Sequence, residues 1–103
     1  MLFSLSMFPI GSGKSLADPV TKVIEEIDNA GLEYEVTGTD TVIEGEWDEV
    51  MPVIKKAKDR LSNEHERVYM VLTVDDHKGS ENRLEGAVID VEETLGRPIS
   101  RGS

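Results

Sequence analysis

The stretch Thr41-Val42-Ile43-Glu44-Gly45-Glu46-Trp47-Asp48-Glu49-Val50-Met51 passes from an extended run into a helix with no spacer between them, and this join constrains the fold more than any other segment. Thr41, Val42 and Ile43 favour a strand because β-branched side chains pack well on a pleated surface. Asp48 can cap the helix that follows. Glu44 carries a full charge inside the β-branched run. A strand there must hold that carboxylate at solvent, at a partner or at a ligand, because an unpaired buried charge is costly.

Around this join the chain alternates strands and helices. Phe3, Leu5 and Met7 alternate with Ser4 and Ser6, the period of a strand with one apolar and one polar face. A turn is expected over 9–15, with Ser15 or Asp18 followed by Pro19 as the cap of the next element. Leu16, Val20, Val23, Ile24 and Ile27 recur at helical spacing, and Gly31 supplies a left-handed stop. Residues 33–37 and 41–46 read as a hairpin joined by Gly38-Thr39-Asp40. Val50, Ile54, Ala57 and Leu61 mark a second amphipathic helix, with Pro52 tolerated in its first turn. Residues 67–75 form a last strand, apolar on both faces. After a polar loop, Leu84, Val88, Val91 and Leu95 define a third helix closed by Gly96 and Pro98.

The order strand, helix, strand, strand, helix, strand is the split βαβ of an α+β, ferredoxin-like βαββαβ sandwich with an antiparallel sheet, here with an extra C-terminal helix. Right-handed crossovers put the first and third strands in the centre and two helices on one face. The other face is expected to be bare, offering Ser4 and Ser6, Val42 and Glu44, and Tyr69, Val71 and Thr73. The apolar fourth strand at the sheet edge predicts assembly, since such an edge invites aggregation in a monomer. A covered open face would bury Ser4, Ser6, Glu44 and Thr73 and require partners for them, so a pocket between protomers follows.

A chain of 103 residues is long enough for one domain, taken as 1–97 with 98–103 as a frayed tail, and buries roughly two-thirds of its unfolded surface. The absence of cysteine excludes a disulfide framework and thiolate metal sites and suits a reducing cytoplasm. The apolar start, Met1 to Phe8, has no basic residues before it and is too short to cross a bilayer, so it reads as neither anchor nor signal. With 21 acidic and 11 basic residues the net charge is −10. That charge repels nucleic acid and anionic lipid, attracts cations and favours solubility.

No motif supports catalysis. Gly11-Ser12-Gly13-Lys14-Ser15 lies between strand and helix like the end of a phosphate-binding loop, but Phe8 stands where its first glycine belongs. A flexible turn is the better reading. Asp75-Asp76-His77 are too close together to converge on a metal, and both histidines fall in loops. Asp48 and Glu49 suit a helix start, where negative charge opposes the dipole. Glu44 is the carboxylate placed to bind something, and Trp47 belongs either to core or interface or to a stacking surface.

Ser6-Met7-Phe8-Pro9-Ile10-Gly11, Ala30-Gly31-Leu32-Glu33-Tyr34, Thr41 to Met51, Arg67-Val68-Tyr69, Arg83-Leu84-Glu85-Gly86 and Val91-Glu92-Glu93 together resemble the small thiamine-binding protein family. The likeness runs over almost the whole chain, and Gly45-Glu46-Trp47-Asp48-Glu49-Val50-Met51 is its most specific part. It implies a non-enzymatic, cytoplasmic homodimer or homotetramer that binds thiamine or its hydroxymethylpyrimidine part, with no cofactor, metal, nucleic acid or membrane. A site for this cation needs a carboxylate, hydroxyls and an aromatic surface. Glu44 with Ser4, Ser6 and Thr73 would serve the pyrimidine edge, and Phe8, Trp47 or Tyr69 would stack. Phosphate esters would need basic residues, for which only Lys14 and Arg67 are near. Two rival readings are a ligand-free module that assembles through its open face, and an acylphosphatase-like hydrolase. The hydrolase would need an arginine in the turn after the first strand, where the chain has none.

Overall fold

Alternating side chains in the first strand decide which face of the sheet becomes the core. In a computed structural model that describes residues 1–11, 17–78 and 83–98, strand β1 (Leu2–Pro9) buries Phe3, Leu5, Met7 and Pro9 and leaves the residues between them half-buried. It is followed by α1 (Ala17–Asn29), β2 (Glu33–Val36), β3 (Thr41–Glu44), α2 (Trp47–Ser62), β4 (Val68–Asp75) and α3 (Arg83–Leu95). The strands form one antiparallel sheet in the order β2-β3-β1-β4, the ferredoxin-like arrangement with an added helix.

Helices α1 and α2 cover the face that carries Phe3, Leu5, Met7 and Ile43. Val23 and Ile27 of α1, and Val50, Ile54, Ala57 and Leu61 of α2, complete the core. Phe3, Ile27, Ile43, Val50 and Leu61 are fully buried. Arg60 ties the two helices together at the surface, donating to Glu25 at 3.1 Å and to Glu26 at 3.4 Å. Gly31, at φ +73°, ends α1 in the left-handed conformation that its position predicts.

Several boundaries differ from the sequence reading. Pro9 belongs to β1, paired with Val68, rather than to the turn; as the last strand residue it loses little by lacking an N–H. Strand β3 stops at Glu44, and α2 begins at Trp47, with Glu46 rather than Asp48 at its N-cap. The Glu46 N–H donates to the Glu49 carboxylate at 3.3 Å, half of a capping box. The open face is not bare, because α3 contacts β3 there. Val91 and Leu95, expected on a buried stripe of α3, are about half exposed. Ser12 to Leu16, which include the rest of the glycine-rich turn and the Ser15 cap, Gly79 to Asn82 of the expected polar loop, and the tail from Ile99 onward lie outside the described residues.

Gly45 sits where β3 turns into α2, and the space around it requires glycine. A Cβ there would stand 2.9 Å from Val50 Cγ2, and Val50 is fully buried and cannot retreat. Gly45→Ala is therefore expected to destabilise the protein by about 1–3 kcal/mol through overpacking. Urea denaturation of the two proteins would measure this, and equal midpoints would show that the join has slack.

Candidate functional site

The site arises from unequal strands. The β1–β3 ladder ends at Leu5 opposite Thr41, whereas the β1–β4 ladder continues to Pro9 opposite Val68. Ser6, Met7 and Phe8 therefore have no strand on their β3 flank. The β2–β3 turn and the first turns of α1 wall off the gap, leaving a cavity of about 380 Å³. Ser6, Thr37 and Asp40 supply polar groups to its lining, and Phe8, Val20 and Ile24 supply apolar ones.

Thr37 and Asp40 close the turn on themselves. The Thr37 N–H donates to the Asp40 carbonyl at 2.9 Å. The Thr37 hydroxyl accepts from the N–H groups of Thr39 at 3.2 Å and Asp40 at 3.1 Å, and donates to Asp40 Oδ1 at 2.6 Å. Asp40 shares strand parity with Val42 and Glu44 and so lies toward the open face, where the Ser4 hydroxyl donates to its other oxygen. The hydrogen bond from Ser4, and then that from Thr37, lower the Asp40 pKa below its ordinary value, against the opposing effect of partial burial. The result is a carboxylate held ionised from two elements at once.

The seven residues singled out in the sequence fall into two groups. Ser6 and Phe8 line the cavity. Ser4 reaches it through Asp40. Tyr69 lies opposite Phe8 on β4, with ring centroids 5.6 Å apart and planes inclined at 40°. Thr73 pairs with Ser4 on the open face and is exposed.

Glu44 and Trp47 lie at the other end. Glu44 is opposite Leu2, four strand positions from Ser6, or roughly 13 Å at about 3.3 Å per residue. One of its carboxylate oxygens accepts the Leu84 N–H at 2.9 Å, in the first turn of α3. Glu44 thus holds a helix N-terminus, where a negative charge also opposes the dipole. Trp47 is tilted against Phe3 with centroids 6.3 Å apart, is 48% exposed, and borders an open groove with Met51 and Pro52 along α2. One small pyrimidine cannot touch both groups.

Sequence reasoning missed Thr37 and Asp40, having treated the turn as punctuation. The signal was present: positions 40, 42 and 44 share parity, so an Asp just before β3 projects onto the same face as Glu44. Among the described residues, no three His, Cys, Asp or Glu side chains gather to hold a metal ion. Among the same residues, no helix is long and apolar enough to cross a membrane.

Comparison with known proteins gives a consistent picture. The family described as thiamine-binding protein matches residues 3–92. A UPF0045 protein of Methanocaldococcus jannaschii is 35% identical over 81 residues, covering 79% of this chain and 81% of its own. One from Mycobacterium bovis is 33% identical over 99 residues, covering 95% and 97%. A crystal structure of a Methanocaldococcus jannaschii protein superposes with a TM-score of 0.82 at 32% identity, over 89% of this chain and 95% of that one. The structure of a Thermotoga maritima protein provisionally assigned to thiamine biosynthesis or salvage superposes with a TM-score of 0.71 at 25% identity, over 92% and 94%.

The Asp40 geometry has a testable pH signature. Its folded pKa lies below the ordinary carboxylate value of 3.8. The stabilisation is therefore complete above that pH and is lost as pH falls through the folded pKa. Ser4→Ala removes the larger cause, so the Asp40 carboxyl carbon should titrate closer to 3.8 in a ¹³C NMR experiment. An unchanged midpoint would mean that Ser4 does not hold this carboxylate.

Proposed function

The chain belongs to the thiamine-binding protein family, and from that premise we propose that it binds thiamine or the hydroxymethylpyrimidine part of thiamine, without converting it, as an assembly of several copies in the cytoplasm. The cavity beside Asp40 carries this reading. Thiamine combines a permanent cation with an aminopyrimidine that has both apolar faces and a polar edge. Val20 and Ile24 from the α1 side and Phe8 from the open-face side border the gap with apolar surface, while Ser6 and Asp40 add a hydroxyl and a carboxylate to its lining. In this reading Asp40 takes the part that the sequence assigned to Glu44, and Glu44 serves α3 instead.

Electrostatics favour the unphosphorylated compounds. A net charge of −10 draws cations toward the surface and repels phosphate esters. The described lining of the cavity contains no lysine or arginine.

Assembly is supported by the apolar surface that the protomer leaves uncovered. Along the β4 edge Tyr69, Met70, Val71 and Val74 are all exposed, and Ile89, Val91 and Leu95 are exposed on α3. An eight-residue edge strand with apolar side chains on both faces is a template for pairing unless another chain covers it. A ligand-free module would use the same surfaces, so ligand response is what separates the two readings.

Thiamine and hydroxymethylpyrimidine are expected to raise the melting temperature with concentration, equivalent to about 2.7 kcal/mol at one hundred times the dissociation constant. Thiamine phosphates should have little effect. Native mass spectrometry of the same samples should show a multimer carrying the ligand. A monomer whose melting is indifferent to millimolar amounts of either compound would contradict the proposal.

A further inference from the structure

Resting on the thiamine reading above, we propose that Asp40 is the selectivity residue of the site. Its carboxylate accepts a hydrogen bond from the exocyclic amino group of the pyrimidine, so that the site refuses analogues carrying an oxo group at that position.

Counting donors and acceptors around the cavity leads to this assignment. A hydroxyl has one hydrogen to donate and two lone pairs. Thr37 gives its hydrogen to Asp40 Oδ1 and accepts from the N–H groups of Thr39 and Asp40, so its capacity is spent. Ser4 gives its hydrogen to the other Asp40 oxygen. An ionised carboxylate only accepts and has about four lone-pair directions, of which these two bonds use two. The remaining polar side chains of the lining, Ser6, Thr39 and Thr41, carry hydroxyls that both donate and accept, so Asp40 is the one side chain there that can only accept.

At that point a ligand N–H is welcome and a carbonyl oxygen is repelled, because an ionised carboxylate has no hydrogen to donate. Ser4 on β1 and Thr37 in the turn after β2 fix the carboxylate from two sides, so it cannot swing away without losing both bonds. No other titratable side chain occurs in the described lining. On the neighbouring α1, Lys22 is paired with Glu64, while Glu25 and Glu26 are engaged by Arg60. A site that sets a fixed, half-buried carboxylate against an oxygen discriminates more strongly than one that only measures size.

Calorimetric titration of the full chain with thiamine and with oxythiamine, its 4-oxo analogue, tests the assignment. The wild-type protein is expected to prefer thiamine by about 10- to 100-fold, the worth of one hydrogen bond to a charged group. Asp40→Asn, whose amide can both donate and accept, should lose most of that preference. Because this substitution also touches the turn, a second measurement uses the wild-type protein alone. The Asp40 carboxyl ¹³C resonance should move on adding thiamine and not on adding oxythiamine.

Equal wild-type affinity for the two compounds, or a preference that survives in Asp40→Asn, would overturn the role of Asp40 while leaving thiamine binding intact. A carboxyl resonance that is indifferent to bound thiamine would do the same. Binding of neither compound by the wild-type protein would remove the thiamine reading and this inference together.

Discussion

The structure turns on a mismatch in strand length. Strand β1 spans eight residues and β3 only four, so the centre of the sheet is fully paired along one flank of β1 and half paired along the other. Both ends of β3 are fixed by local chemistry. At one end Gly45 fits against the buried Val50, and its N–H donates to the Met1 carbonyl at 3.1 Å as the chain turns into α2. At the other, Thr37 and Asp40 close a tight turn. With neither end able to extend, the second half of β1 faces a gap rather than a strand, and the hydrophobic start of α1 forms its floor.

That mismatch divides the sheet into two ends with different tasks. Around Leu2, Glu44 and Trp47 the polar and aromatic groups are used internally, Glu44 on the Leu84 amide of α3 and Trp47 against Phe3. Around Ser6, Phe8 and Asp40 they converge on space. The same residue type, a carboxylate on the open face, therefore secures a helix at one end and is presented to a cavity at the other. What separates the two is which backbone stands opposite: α3 over Glu44, and the gap left by β3 beside Asp40.

Much of the architecture was legible in the sequence because it depends on periodicity. The alternation of Phe3, Leu5 and Met7 with Ser4 and Ser6 fixed the parity of β1. The helical spacing of Val50, Ile54, Ala57 and Leu61 marked the buried face of α2, and the order of elements yielded the strand order. Features that depend on contacts distant in sequence were not legible. Nothing near Glu44 announces that an amide forty positions on will bond to it. The exposure of Val91 and Leu95 likewise depends on what α3 meets, not on its own repeat. Asp40 is a different case. Its parity was readable, but turn residues are usually read for their backbone, and here the turn contributes a side chain to the site.

The central claim is that the gap beside β1, and not the Glu44–Trp47 end, receives the ligand. Backbone amide NMR of the ¹⁵N-labelled protein titrated with thiamine tests it most directly. The account predicts that the largest shifts fall on Ser6, Phe8, Thr37 and Asp40, with Glu44 and Trp47 nearly unmoved. Shifts concentrated at Glu44 and Trp47 would contradict it.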